Sequence, residues 1–150
     1  MDKVQEVNVF VETTAKRPGE QDARYIAILE MKTPKGAVTL QREGELHGTK
    51  NNIELQALKM ALERVKMRVS LNLYTDSEYI FNAFEQGLPE KWQKNGWKTA
   101  KNTPIANETE WREIQYLLNG KPFLVHIKQE HEYRNWMENE LRRKGEMEHV

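Results

Sequence analysis

Val69-Ser70-Leu71-Asn72-Leu73-Tyr74-Thr75-Asp76-Ser77-Glu78-Tyr79 is the stretch on which the fold turns. The apolar run from Val69 to Tyr74 reads as a strand. It ends on an aspartate, and a helix start follows at once with Ser77 available as its cap. Asp76 therefore sits at the carboxyl end of a strand, the edge where open α/β sheets gather ligands. Taken alone, a strand-end aspartate before a serine is as well read as an ordinary cap. Its weight depends on what else reaches the same edge.

Upstream, Val4 to Val11 alternates as a first strand, Ala15 to Asp22 is a turn, and Tyr25 to Met31 is a second strand. Thr33-Pro34-Lys35-Gly36 is a tight hairpin connection into a third strand, Ala37 to Glu45. A helix spans Asn51 to Val65. Downstream, a helix runs from Ser77 to Phe84, and 87–106 reads as an inserted, tryptophan-bearing loop. Asn107 caps a helix reaching Leu118, Pro122 to Ile127 is a fifth strand, and a last helix covers Glu132 to Lys144. Hairpins first, then strand and helix in alternation, predict a mixed α/β sheet. Its first three strands are antiparallel, and strands one, four and five are parallel through right-handed crossovers.

The chain has 150 residues, no cysteine, and 23 basic against 23 acidic side chains. That length suits a single domain over 1–150, with a core over about 4–145. Without cysteine, thiolate-metal, disulfide and cysteine-nucleophile chemistry are excluded. No run approaches the roughly 18 apolar residues of a membrane span, and the opening residues lack a signal-peptide apolar region. A soluble, cytoplasmic protein without a membrane partner is the expectation. Balanced charge means that nucleic-acid binding would come from a local patch.

Four carboxylates point to one edge. Glu12 ends the first strand as Asp76 ends the fourth; parallel neighbours about 4.8 Å apart would set them side by side. In the helix 51–65, Leu58, Ala61, Leu62 and Val65 form the apolar stripe, and Glu54 lies on it, facing the sheet. Burying an ionised carboxylate costs several kcal/mol unless it is paired or bound to a metal. Glu140 follows Trp136 and Met137 and precedes Leu141, which puts it on the buried seam of the last helix; Glu138 and Asn139 are its neighbouring alternatives. Such a cluster repels itself unless divalent cations bind it, and oxygen-only ligands suit Mg²⁺ or Mn²⁺. Two ions about 3.5–4 Å apart would serve phosphodiester hydrolysis. Each acid also has a plainer reading: a cap for Asp76, a first-turn surface residue for Glu54, a partner of Arg143 or Lys144 for Glu140, a strand end for Glu12.

Lys91 to Lys101 carries four lysines and two tryptophans and no acid. Lysines among aromatics suit a phosphate backbone with bases or sugars on the rings. Tryptophans that anchor the segment while the lysines are solvated fit the composition equally well.

At this point the chain resembles type 1 ribonuclease H. The residues that carry the resemblance are Thr49-Lys50-Asn51-Asn52-Ile53-Glu54-Leu55-Gln56-Ala57, Tyr74-Thr75-Asp76-Ser77-Glu78-Tyr79, and a third block. That block is Trp92 with Asn95-Gly96-Trp97-Lys98-Thr99-Ala100, Pro104-Ile105, Asn107 and Trp111. The resemblance covers residues 7 to about 145. It implies a ribonuclease H-like fold, a five-stranded mixed sheet in the order 3-2-1-4-5 with helices on both faces. It also implies cleavage of the RNA strand of RNA/DNA hybrids with two Mg²⁺ or Mn²⁺ ions. By resemblance Glu12, Glu54, Asp76 and Glu140 are the metal carboxylates and His131 a catalytic loop histidine. Thr49, Asn51, Ser77, Trp92, Lys94, Trp97, Lys98 and Lys101 then match hybrid-contacting positions. Glu12 stands where the family carries aspartate followed by glycine. The expected partner is the hybrid alone, bound by a monomer. A hybrid-binding module without cleavage is the rival expectation.

Overall fold

The structure, a computed structural model, describes residues 5–148, with side chains described through 144. The strand start expected at Val4 falls outside those limits, and of the tail from 145 only the backbone through 148 is described. The strands are β1 (Gln5–Thr13), β2 (Gln21–Thr33), β3 (Gly36–Gly48), β4 (Val69–Thr75) and β5 (Phe123–Ile127). The helices are α1 (Lys50–Leu62), α2 (Glu78–Glu85), α3 (Leu88–Lys94), α4 (Glu108–Leu118) and α5 (Arg134–Glu148). They form one sheet in the order β3-β2-β1-β4-β5. β1 pairs antiparallel with β2, as β2 does with β3, while β1–β4 and β4–β5 are parallel. The expected fold is the observed one.

β1 is the centre of the sheet, and its period-2 pattern serves two layers. Val7, Val9 and Val11 join Tyr25, Ala27, Leu29, Leu71 and Leu73 in the larger core, under α1, α2 and α4. Phe10 faces the other way, with Ile26 and Ile28, and meets Met137 and Leu141 of α5. Burying so many β-branched and leucine side chains on both faces is what stabilises a central strand, at about 1.5–3 kcal/mol each.

The second face also holds a polar ladder absent from the sequence reading. Glu30, only 1 % exposed, accepts from Asn8 Nδ2 at 2.9 Å and from the Tyr133 hydroxyl. Asn8 Oδ1 in turn accepts from Asn72 Nδ2 at 3.1 Å, and Asn72 Oδ1 lies 3.2 Å from His126 Nε2. One rung toward the strand ends, Phe10 stacks on Tyr74 and Tyr74 on His126.

Caps behave mostly as the side chains dictate. Thr49 and Ser77 accept from the backbone N–H groups of Asn52 and Ile80, starting α1 and α2. Gly48, between β3 and that cap, has φ +151, and a Cβ there would meet Asn52 Oδ1 at 2.6 Å. Two expectations need correction. The segment 87–106 is not simply a loop: Gly87 at φ 65 and a proline in the first turn start α3, whose Trp92 packs inward. Asn107 precedes α4 but makes no capping bond. Its side chain instead accepts from Asn52 Nδ2 at 3.1 Å and donates to Tyr79 Oη at 3.2 Å. Tyr79 Oη also accepts from the fully buried Trp111 indole at 2.9 Å, so Tyr79, Asn107 and Trp111 lock α1, α2 and α4 together.

Candidate active site

Parallel register delivers the first two acids. The β1–β4 pairs run to Phe10 opposite Tyr74, so Glu12 and Asp76, two residues further on, share a face at the same sheet edge. Glu54 arrives from the opposite layer on α1 and meets them past the strand ends. It is 5 % exposed and accepts a 2.8 Å hydrogen bond from Thr13 Oγ1. Glu12, Glu54 and Asp76 line a common cavity of about 330 Å³ with Lys16 and Glu138.

Arg134, at the start of α5, crosses this cluster. Its Nη1 donates to Glu12 Oε1 and to Asp76 Oδ2, both at 2.8 Å, and its Nη2 to Asp76 Oδ1 at 3.1 Å. The two acids thus share one nitrogen. Among the described residues, no three acidic or histidine side chains converge on a single point. The guanidinium fills the gap between Glu12 and Asp76, and Glu54 approaches from the other layer.

Electrostatics divide the three acids. Burial pushes the Glu12 carboxyl up to about 7; Arg134 pulls it down, and Asp76 and Glu138 push it further up. Burial also raises Glu54, against the Thr13 hydrogen bond and the charges of Lys16 and Lys50. Burial would raise Asp76 too, but the hydrogen bonds and charge of Arg134 outweigh it and hold that carboxyl below its ordinary value. The donor set is all carboxylate oxygen, the chemistry that hard divalent cations select. Glu54 is buried with a hydroxyl for a hydrogen-bond partner and only distant charge to neutralise it. The chemistry of these donors fits a divalent cation, while the Arg134 guanidinium occupies the gap between Glu12 and Asp76.

The last helix differs from expectation. Glu140 is not in the cavity: it pairs with Arg143 at 2.9 Å, on the side of α5 where Lys144 meets Glu43. Glu138 lines the cavity instead, because two helical residues are about 200° of rotation and place the two glutamates on opposite flanks of Met137 and Leu141. Trp136, expected on the buried seam, is 42 % exposed. Asn139 is exposed and accepts from Arg142. His131 stacks on Phe10 with ring centroids 4.3 Å apart, and its Nδ1 accepts from the Tyr133 N–H. Burial first, then the charge of Arg134, holds its pKa down, with Asp76 and Glu130 opposing.

On the other side of Asp76 lies a second cavity, of about 650 Å³, lined by Asn51 and Ser77 and by Lys16, Lys50 and Lys128. Asn51 and Ser77 are among the expected hybrid-contacting positions; the basic residues beside them are not. Lys16 and Lys50 were legible as loop and helix-start lysines at the acids' own sheet edge, but Lys128 and Arg134 needed the geometry of the β5–α5 turn. Thr49 and Ser77 keep their caps, and Asn51 is exposed beside this groove. Of the two readings of 91–101, the tryptophans take the anchoring one. Trp97 is buried at φ 63 beneath the Arg112 guanidinium, and Trp92 packs edge-on against Trp111. Trp97 is buried and Trp92 partly buried, both packed on the core. Lys94, Lys98 and Lys101 are exposed around them.

The sequence model of the RNase H family matches residues 5–141. Ribonuclease H of Thermoanaerobacter sp. (strain X514) is 43% identical over 70 residues, 47% of this chain and 45% of that protein. That of Chlorobaculum parvum is 46% identical over 66 residues, 44% of this chain and 45% of that one. The matched stretches therefore span less than half the length of these curated relatives. Among solved structures, LC9-RNase H1, a type 1 RNase H with the type 2 active-site motif, superposes with a TM-score of 0.71 at 20% identity. That match covers 93% of this chain and 71% of that one. The foamy viral protease-reverse transcriptase in complex with RNA/DNA hybrid gives a TM-score of 0.62 at 14% identity, over 92% of this chain and 19% of that one. At such identities the likeness is one of fold, and it agrees with the β3-β2-β1-β4-β5 sheet. With the match over 5–141 and with Glu12, Glu54 and Asp76 gathered at the strand ends, this chain belongs to the RNase H family.

Proposed function

We propose that this protein is a type 1 ribonuclease H that hydrolyses the RNA strand of RNA/DNA hybrids with Mg²⁺ or Mn²⁺. The observation that carries this reading is the shared cavity of Glu12, Glu54 and Asp76, beside a groove lined by Lys16, Lys50 and Lys128 together with Glu78 and Glu130. Bound divalent ions supply a polarised water and neutralise charge on the phosphate under attack. Glu12, Asp76 and Glu54 would hold them, with Glu138 rather than Glu140 as the fourth acid. Thr13 orients Glu54. Lys16 and Lys50 would bind backbone phosphates with Asn51 and Ser77 beside them, while Lys128 is paired with Glu78 at 2.8 Å in the same groove. Such a groove selects helix shape and 2′-hydroxyls rather than base sequence.

A second reading is a hybrid-binding module that cleaves weakly or not at all. The Arg134 bridge between Glu12 and Asp76 favours it, since one guanidinium already offsets part of that pair's charge without any ion. Labelled RNA/DNA hybrid, single-stranded RNA and duplex DNA incubated with Mg²⁺, Mn²⁺ or EDTA separate the two. Divalent-dependent cleavage of the hybrid RNA alone, lost in Asp76→Asn, is the expected result. Tight hybrid binding with no cleavage under any ion would replace the first reading by the second.

A further inference from the structure

Arg134 is placed to do more than balance charge. Its side chain is 14 % exposed, and Nη1 takes one oxygen from each acid while Nη2 holds Asp76 Oδ1 and the Gln129 carbonyl oxygen. Arg134 thereby engages three of the four carboxylate oxygens on which an ion shared by Glu12 and Asp76 would draw. A guanidinium and a divalent cation also repel, so the two cannot occupy the gap together.

We propose that Arg134 is the resident counter-cation of the Glu12–Asp76 pair, and that a divalent ion loads there only by displacing it. The arginine thereby sets the ion concentration at which the site fills. This rests on the reading above that an ion binds between these two acids. The seat of the guanidinium is incomplete in a way that eases its release. Its Nε is buried and within ion-pair reach of Glu130 Oε1 at 3.5 Å but makes no hydrogen bond, and a buried donor without one is unfavourable. Glu130, one turn before it in sequence and 88 % exposed, offers the displaced guanidinium an acceptor in solvent. Glu138, one turn after it, lies 3.9 Å from Nη1. Ion binding then carries the cost of vacating the gap, which lowers apparent affinity by the fraction of molecules with the gap open.

The test uses the full chain, without nucleic acid, and Mn²⁺ as the probe. Bound Mn²⁺ is read from the loss of the free-ion electron paramagnetic resonance signal, and melting temperatures are taken in EDTA and in Mn²⁺. Arg134→Gln is expected to bind Mn²⁺ about tenfold more tightly than the unaltered protein. It should melt lower in EDTA and recover more on adding Mn²⁺. Arg134→Lys, which keeps the charge but not the two-pronged contact, should fall between, and it carries the test if the glutamine variant does not fold. Adding Glu12→Gln to either variant should abolish the gain. Equal or weaker Mn²⁺ affinity in the Arg134 variants, or a gain that survives Glu12→Gln, overturns the displacement while leaving the metal site standing. If neither the unaltered protein nor any variant binds Mn²⁺ in the millimolar range, both the inference and the metal reading fall.

Discussion

The Thr13 hydroxyl donates to Glu54 Oε1 at 2.8 Å, tying the last residue of β1 to the first turns of α1 across 41 positions of sequence. Thr13 and Glu12 are neighbours that point to opposite faces, so one strand end holds two acids: one directly, one through a hydroxyl. Replacing Thr13 by valine leaves a buried carboxylate without its donor. Urea unfolding of Thr13→Val should show a loss of about 1–3 kcal/mol. Thr13→Ser should restore most of it, and hybrid cleavage should fall with valine and recover with serine.

Glu138 and Glu140 provide a direct contrast. Glu138 lines the acidic cavity, whereas Glu140 pairs with the exposed Arg143. Glu138→Gln should lower hybrid cleavage by about tenfold or more, as loss of a group acting only at the reacting centre does. Glu140→Gln should change cleavage by less than about twofold and stability by less than about 1 kcal/mol, the range of surface ion pairs. Initial rates on one labelled hybrid decide it; the reverse order would restore Glu140 as the fourth acid.

The pH dependence follows from Glu12. Its carboxyl rises from the ordinary 4.5 to about 7, so between those values the folded protein holds a proton that the unfolded chain has lost. Stability in EDTA must therefore fall as pH climbs from about 4.5 to 7 and level off above, by the linkage between proton uptake and folding. Glu12→Gln removes that titration, and the difference in melting temperature between it and the unaltered protein should change across this window. The protonated acid is a poor ion ligand, so hybrid cleavage should rise toward pH 7 and then flatten.

Trp97 and the lysines around it separate folding from binding. Trp97 is 6 % exposed, and Trp97→Ala should cost about 3–5 kcal/mol in urea unfolding. Lys98→Gln and Lys101→Gln should leave stability unchanged. Each should reduce the slope of log affinity for hybrid against log salt by about 1 if it meets a phosphate. Unchanged slopes would restrict the binding surface to the groove beside Asp76.

The polar ladder predicts a purely structural effect. The Glu30 carboxyl is pushed up by burial but held below its ordinary value by its hydrogen bonds from Tyr133 and Asn8. Tyr133→Phe removes one donor from a carboxylate with almost no exposure. A loss of about 1–3 kcal/mol is expected by thermal or urea unfolding.

Periodicity was enough to read the strands and helices, because strand alternation and helical stripes are local properties of the chain; the strand order was what the family resemblance implied. Val7, Val9 and Val11 against Asn8, Phe10 and Glu12 assign the two faces of β1. The strand-to-helix junction at Asp76 marks the edge where Glu12 must join it, and Glu54 announced itself as an acid on an apolar stripe. Tertiary structure decided what local pattern does not encode. Trp92 turns inward because Trp111 offers it a buried partner on α4, and Trp97 is buried beneath Arg112 of the same helix. Glu138 rather than Glu140 reaches the cavity because the rotation of α5 is set by Met137 and Leu141 packing on Phe10, Ile26 and Ile28. Arg134 lands between Glu12 and Asp76 only once that same helix has docked, and no spacing along the chain foretells a contact made across 122 residues.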